Sequence, residues 1–341
     1  MPIQELQQRL AYFHHIPFPT PDIFETLPWR VEVLRALMRF NVVGFQTLRD
    51  RRNFIACLRR CLAGVRVCWT GETLLARVDG QCASIGTYPI SIDYEGFATE
   101  ASQSSVVDAA SIIQRGLGTA RIILGVDRLD YTKGIPERLI AFQRLLEAHP
   151  ELLGQITMAQ IVVPSREDIP EYTQLKLRIE RLVSNINGRY SRTGWVPIHY
   201  FYRCIPRAEL IAFYRAAHIA LVTPLKDGMN LVAKEFCASR VDHRGVLVLS
   251  EFAGAAGELE CGALLVNPHD TEGVAAALEV AVQMDEAEQS TRMQNMRSHL
   301  RLNDVFRWCR SFETGTLLAP ISAPTESVHW TTVAAMAADK L

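Results

Sequence analysis

The chain has no surplus of either charge: 36 lysines and arginines stand against 37 aspartates and glutamates, a formal net charge of −1 at pH 7. Nucleic acids and anionic membrane surfaces are bound through excess cations, so neither class of partner gains support. No uncharged apolar run approaches the ~18 residues that would span a bilayer. The opening Met1-Pro2-Ile3-Gln4-Glu5 is too polar for a signal peptide. Metal-type cysteine spacing is missing as well. The eight cysteines are scattered, and Cys57 and Cys61, which share a helical face, lack the second pair that would complete a zinc site. Buried or free thiols in a reducing cytoplasm are expected, with no metal. There is no internal repeat and no low-complexity segment.

What is present describes a globular protein of about two domains: 341 residues, 48% of them hydrophobic. The most informative stretch runs from Thr223 to Glu235, TPLKDGMNLVAKE. His218 to Val222 before it reads as a short buried strand, and Val232 to Arg240 as a helix. A strand that turns through an acid, a glycine and an amide into a helix leaves backbone N–H groups pointing outward. With the positive end of the helix dipole they form an anion site at the carboxyl edge of a sheet. Glu235, one turn beyond Leu231, can face the same cleft. An ordinary strand-to-helix loop with Asp227 as the helix cap fits these residues equally well.

A second stretch bears on that choice. Arg121 to Val126 is an apolar, β-branched run, followed by Asp127-Arg128-Leu129-Asp130-Tyr131-Thr132-Lys133-Gly134 and a helix from about Pro136. Two cations, Arg128 and Lys133, at one strand end suit a diphosphate leaving group. A surface pairing of Arg128 with Asp127 or Asp130 is the alternative.

Residues 120–285 alternate strand candidates (121–126, 156–163, 196–201, 218–223, 245–249, 263–266) with helix candidates (136–148, 170–187, 207–216, 231–240, 271–284). Such alternation makes a Rossmann-like parallel sheet with right-handed crossovers. Its loops bring Arg128, Lys133, Arg166 and the Asp227–Glu235 stretch to one crevice. The first hundred residues are thinner in strands. Residues 1–10 read as the tail of a helix, Ala11 to His15 as a strand stopped by Pro17 and Pro19, and Ile23 to Phe40 as helix interrupted at Pro28. A strand over Val42 to Phe45, a basic helix over Arg49 to Leu62, and β-rich runs at Val65–Trp69 and Ile85–Ile92 follow. That is too little for a complete doubly wound sheet.

The segments GVDRLDYTKGIPERL, VPSRED, LVTPLKDGMNLVAKE and LSEFAGAAGEL, with HHIPFP and LPWR near the start, resemble the retaining glycosyltransferases that make trehalose 6-phosphate and glucosylglycerol phosphate. The resemblance runs over roughly residues 11–312. It implies an α/β, GT-B-like fold of two Rossmann-like domains, the N-terminal one incomplete. Family members carry a long further segment ahead of the one matching Ala11, including a glycine-rich loop, so an N-terminally truncated chain is expected. The expected division is 1–118 for the partial acceptor-side domain, 119–300 for the nucleotide-sugar domain, 301–318 for a crossover helix and 319–341 for a loose tail.

The same resemblance implies the site. Arg128 and Lys133 match donor-phosphate residues, with the N–H groups around Gly228, Met229, Asn230 and Leu231 completing the anion hole. Asp227 matches a residue that binds glucose hydroxyls, Glu235 one that holds the nucleotide ribose, and His15 one that touches the donor glucose. Arg166 matches the arginine for the acceptor phosphate. The bland readings are a turn histidine for His15 and a capping or surface arginine for Arg166. Trp29, Trp195 and Phe201 read as core or cleft wall. No cofactor is implied beyond the substrate nucleotide sugar, and the expected partners are that sugar and a phosphorylated acceptor, with a homo-oligomer left open. FHHIPFP, GFQTLRDRRNF and YPISIDY resemble the glucosylglycerol-phosphate branch more, which implies ADP-glucose and glycerol 3-phosphate. The alternatives are UDP-glucose with glucose 6-phosphate, or a fragment that binds nucleotide sugar without turnover.

Overall fold

The computed structural model describes residues 9–70, 73–118 and 121–319. The readings of residues 1–8 and 320–341 as helix tail and loose tail lie outside them. The chain divides into two compact units, one of residues up to Ile90 together with those from Phe306, the other of Ser91–Val305.

The first unit contributes β1 (Ala11–His14), α1 (Pro21–Phe24), α2 (Arg30–Leu37), β2 (Val42–Phe45), α3 (Leu48–Cys61), β3 (Arg66–Thr70), β4 (Thr73–Val78) and β5 (Gln81–Thr87). The second holds α4 (Tyr94–Ala101), α5 (Ser104–Leu117), β6 (Arg121–Arg128), α6 (Ile135–Ala148), β7 (Ile156–Val163), α7 (Pro170–Tyr190) and β8 (Ile198–Tyr202). It continues through α8 (Arg207–Ala216), β9 (Ile219–Val222), α9 (Leu231–Ser239), β10 (Val246–Ser250), α10 (Ala256–Leu259), β11 (Leu264–Val266), α11 (Thr271–Gln283) and α12 (Glu286–Leu302). Helix α13 (Val305–Leu318) then carries the chain back to the first unit.

In the first unit the strand order is β1-β2-β5-β4-β3. The first three are parallel, and β4 runs antiparallel to both its neighbours. Pro28 does break the helical run, since α1 ends at Phe24 and α2 starts at Arg30. Thr47 caps α3, its hydroxyl accepting from Asp50 N–H at 3.1 Å. The core is aromatic: Phe18, Phe24, Phe45 and Phe54 are buried together with Leu34, Met38 and Leu58. On the other side of the sheet, Trp308 and Phe312 of α13 meet Phe13 at ring distances of 5.2 and 5.6 Å. Trp308 Nε1 also donates to the Tyr88 carbonyl at 3.0 Å. The close approach needs Gly44, where a Cβ would lie 2.9 Å from the Phe312 ring.

The second unit is a six-stranded sheet ordered β11-β10-β9-β6-β7-β8, parallel throughout. Continuously buried runs such as Ile219–Val222 and Val246–Ser250 are what a sheet covered on both faces requires. From β6 the chain winds outward through β7 to β8, then returns to place β9 on the other side of β6. The strand order therefore reverses between β6 and β9, which opens a crevice at their carboxyl ends.

This α/β architecture, with parallel strands in both units, is the expected fold class. The division at residue 118 is not where compactness places it. Helices α4 and α5, expected in the N-terminal domain, pack within the second unit. The Arg207 guanidinium sits 3.9 Å from the centre of the Phe97 ring and bonds Glu100 at 2.7 Å. Gln114 donates to the Ala216 carbonyl at 3.1 Å. Apolar faces on α4 and α5 are covered by α8 and α9, and this outweighs their nearness in sequence to β5.

Candidate functional site

Strand β6 ends at Arg128, which lies opposite Val163 in the register with β7. The chain then makes a short 3-10 turn over Tyr131–Lys133. Asp130 caps that turn, its Oδ1 accepting from Thr132 N–H at 2.9 Å and Thr132 Oγ1 at 2.8 Å. Burial raises the Asp130 carboxyl, but the Thr132 bonds, Lys133 and the Tyr172 hydroxyl outweigh it and hold the group below its ordinary value. Gly134 closes the turn at φ +64°, and a Cβ there would meet the Thr223 carbonyl at 2.5 Å. Leu225 N–H reaches back to the Thr132 carbonyl at 2.8 Å. The loops after β6 and β9 are thus packed directly on one another.

The junction is anchored from below by Arg138, 1% exposed. Its guanidinium pairs with Asp127 and bonds Thr223 Oγ1 at 3.1 Å, Gln160 Oε1 at 3.3 Å and the Lys133 carbonyl at 3.4 Å. One side chain therefore ties β9, β6 and β7 to the turn that carries Lys133. Burial pushes the Asp127 carboxyl up, against the pull of Arg138. The sequence reading missed Arg138 because it looks like one more surface arginine of a helix. Its position on the apolar face of α6, between Ile135 and Leu139, was the available signal.

Above this anchor Lys133 Nζ lies 2.5 Å from Asp227 Oδ2. Asn230 Nδ2 donates to the same oxygen at 3.1 Å. Asn230 is also the helix cap, its Oδ1 accepting from Ala233 N–H at 3.3 Å. It holds φ +81°, a conformation that non-glycine residues seldom adopt outside constrained sites. The alternative in which Asp227 caps α9 is set aside, since Asn230 fills that position and leaves Asp227 to Lys133. The loop is fixed from outside by Asp227 N–H to the Phe252 carbonyl at 3.2 Å and Ala255 N–H to the Met229 carbonyl at 2.8 Å. Gly228, Met229 and Asn230 are buried and Leu231 half-buried, in the turn that opens α9. The first turn of that helix leaves backbone N–H groups without intrahelical partners.

Arg128 is exposed. Among the described residues it forms no ion pair; Asp127 is engaged by Arg138 and Asp130 by Thr132, so the surface pairing is also set aside. Arg166 follows β7 at φ +50°, and its guanidinium donates to Tyr172 Oη at 2.7 Å. That hydroxyl in turn reaches Asp130 Oδ2 at 3.4 Å. Glu235 is half-buried on α9. Burial raises its carboxyl, against the hydrogen bond from Tyr214 and the charge of Arg207. Arg128, Lys133, Asp227, the 228–231 loop and Glu235 thus come from the two loops and one helix at the reversal point, with Arg166 at the adjoining end of β7.

His15 belongs to the other unit, exposed at the end of β1 with its ring 4.8 Å from that of Phe13. Trp195 is buried as expected, its Nε1 donating to Thr157 Oγ1 at 2.8 Å, and Phe201 packs on Phe213 at 5.5 Å. Trp29 stands 65% exposed, which leaves it out of the core. No helix is long and apolar enough to cross a membrane among the described residues.

Comparison with known proteins identifies the family. Trehalose-6-phosphate synthase of Mycobacterium avium is 44% identical over 312 residues, 89% of this chain and 62% of that protein. The chain therefore spans less than two thirds of the length of that curated relative. An alpha,alpha-trehalose-phosphate synthase (UDP-forming) from Burkholderia xenovorans in complex with glucose-6-phosphate superposes with a TM-score of 0.87 at 37% identity, over 92% of this chain and 69% of that one. The protein described as trehalose-6-phosphate from E. coli bound with UDP-2-fluoro glucose gives 0.86 at 38% identity, over 92% and 69%. The family model for glycosyltransferase family 20 matches residues 3–315. With the fold, the curated relative and this match in agreement, the chain belongs to glycosyltransferase family 20.

Proposed function

We propose that the Ser91–Val305 unit binds a nucleotide sugar through its diphosphate, and that the chain serves a retaining transfer of glucose from UDP-glucose to glucose 6-phosphate, giving trehalose 6-phosphate. One observation carries the reading: Lys133 and Asp227, from the loops after β6 and β9, meet at the point where the strand order reverses. A diphosphate at the start of α9 would meet the helix dipole, free N–H groups and the Lys133 and Arg128 charges.

Transfer breaks the bond between the sugar's anomeric carbon and the diphosphate oxygen, whose electron pair goes to the leaving group. Fixed cations stabilise that charge without reorganising. The acceptor hydroxyl oxygen bonds the same face of the carbon, and its proton passes to a departing phosphate oxygen. Asp227 supports the sugar rather than attacking it. With Oδ2 occupied by Lys133 and Asn230, its Oδ1 remains for a glucose hydroxyl. Arg166 takes the acceptor's phosphate and Glu235 the ribose.

Glycerol 3-phosphate and ADP-glucose, the pair expected from the motifs, are the weaker choice. The relatives compared carry trehalose-phosphate synthase names, one of them with glucose-6-phosphate and another with UDP-2-fluoro glucose. Calorimetric titration decides between them. UDP is expected to bind more tightly than ADP, and glucose 6-phosphate more tightly than glycerol 3-phosphate once UDP is bound. The opposite order in both would restore the glucosylglycerol-phosphate reading. Binding of neither nucleotide would overturn both.

A further inference from the structure

Glu235 is a carboxylate in an unusual setting. It lies one turn into α9, and among the described residues it forms no ion pair. The cation whose charge acts on it, Arg207, is engaged by Glu100 at 2.7 Å and lies over the Phe97 ring. Its partner is Tyr214 of α8, a residue of 0% exposure whose hydroxyl donates to Glu235 Oε2 at 2.8 Å. Sinking a carboxylate beside a phenol, without a bonded cation, costs stability. Phenylalanine opposite an apolar residue would pack as well at no such cost. Groups held at a cost on the rim of a ligand crevice are there for the ligand.

We propose that Tyr214 is a positioning residue for the nucleotide's ribose, locking one oxygen of Glu235 so that the other accepts a ribose hydroxyl. The inference rests on the nucleotide-sugar reading above. A carboxylate has two acceptor oxygens and free torsions along its stem. A buried donor on Oε2 removes the torsional freedom before the ligand arrives, so little ordering remains to oppose binding. Tyr214 is itself held in place. It sits among the buried residues of α8, and its own carbonyl accepts from Arg240 at 3.3 Å.

The test is a calorimetric comparison of UDP, 2′-deoxy-UDP and pyrophosphate on the wild-type chain and on Tyr214→Phe. A hydrogen bond to an ionised group is worth about tenfold or more in affinity, so wild type is expected to prefer UDP to its 2′-deoxy analogue by about that factor. In Tyr214→Phe the preference should shrink to about twofold, while pyrophosphate, which has no ribose, binds as before. A variant that keeps the full preference overturns the inference. So does one in which pyrophosphate affinity falls in step with UDP affinity, because the hydroxyl is then a structural group. If wild type binds pyrophosphate and both nucleotides equally, the inference falls and the phosphate site stands. If it binds neither UDP nor pyrophosphate, the nucleotide-sugar reading itself fails.

Discussion

Lys133 and Asp227, 94 residues apart in sequence, meet with Nζ 2.5 Å from Oδ2. Each side chain is less than a fifth exposed. The lysine has further donor capacity and the aspartate a second oxygen, so the pair can hold each other and still address a ligand. Lys133→Ala is expected to weaken UDP by about tenfold or more. Asp227→Asn should spare UDP and reduce the advantage of UDP-glucose over UDP, because the lost acceptor faces the sugar. Titration of both ligands on both variants checks this. Equal losses for UDP and UDP-glucose in Asp227→Asn would refute the division of labour.

The Arg128 side chain forms no ion pair among the described residues. Arg128→Ala is therefore expected to leave the melting temperature of the free chain unchanged and to remove most of the rise that UDP produces by mass action. Differential scanning calorimetry with and without UDP measures both.

Arg138 should behave in the opposite way. Arg138→Leu strands Asp127 as a buried, unpaired carboxylate, a loss of about 3–5 kcal/mol. Removing both charges, with Asp127→Leu added, should recover much of it. Urea denaturation of the single and double variants tests this, and equal stabilities for the two would show that the pair is not coupled.

His218 gives the fold a pH dependence. Its Nδ1 accepts from Ile122 N–H at 3.1 Å, which requires the neutral ring. Burial, and then the charges of Arg240 and Arg121, bring its pKa down to about 4. The unfolded chain takes up this proton near the ordinary value of about 6.5. Unfolding therefore binds a proton between those values, and stability falls as the pH drops from 6.5 towards 4. The contribution is complete above 6.5 and gone below 4, at most about 3 kcal/mol. His218→Asn keeps an acceptor and should flatten this part of the curve. A denaturation series from pH 4 to 7 on both proteins would expose an unchanged slope.

Gly254 sets the position of the ligand loop. A Cβ there would fall 1.9 Å from the Gly228 carbonyl, a contact only backbone movement relieves. Gly254→Ala is expected to cost about 1–3 kcal/mol and to weaken UDP through displacement of Met229 and Asn230. Unchanged UDP affinity would mean that the loop adapts.

Much of this was legible from residue order. The six strands of the second unit follow from apolar runs between helix signals, because a doubly covered sheet leaves little room for other patterns. Lys133 and Asp227 were visible through their place at strand ends. Other features were hidden for physical reasons. Helices α4 and α5 pack in the second unit, which sequence proximity does not reveal because it carries no information about which apolar face will cover them. The β4–β5 hairpin was overlooked although Asp79-Gly80, at φ +50° and +77°, is a two-residue hairpin turn. Arg138 and Tyr214 were read past, since a buried polar residue looks like an exposed one until its partners come together.

The aromatic wedge of α13 has a consequence for synthesis. Phe13 and Tyr88 leave the ribosome well before Trp308 and Phe312, which cover them, because the whole of Ser91–Val305 is made in between. Chains emerge N-terminus first and their domains ordinarily fold in that order. Here the unit of Phe13 and Tyr88 waits, with part of its apolar face open, until α13 arrives. A ribosome that stalls before Phe306 would leave the second unit able to close its sheet and the first unable to finish.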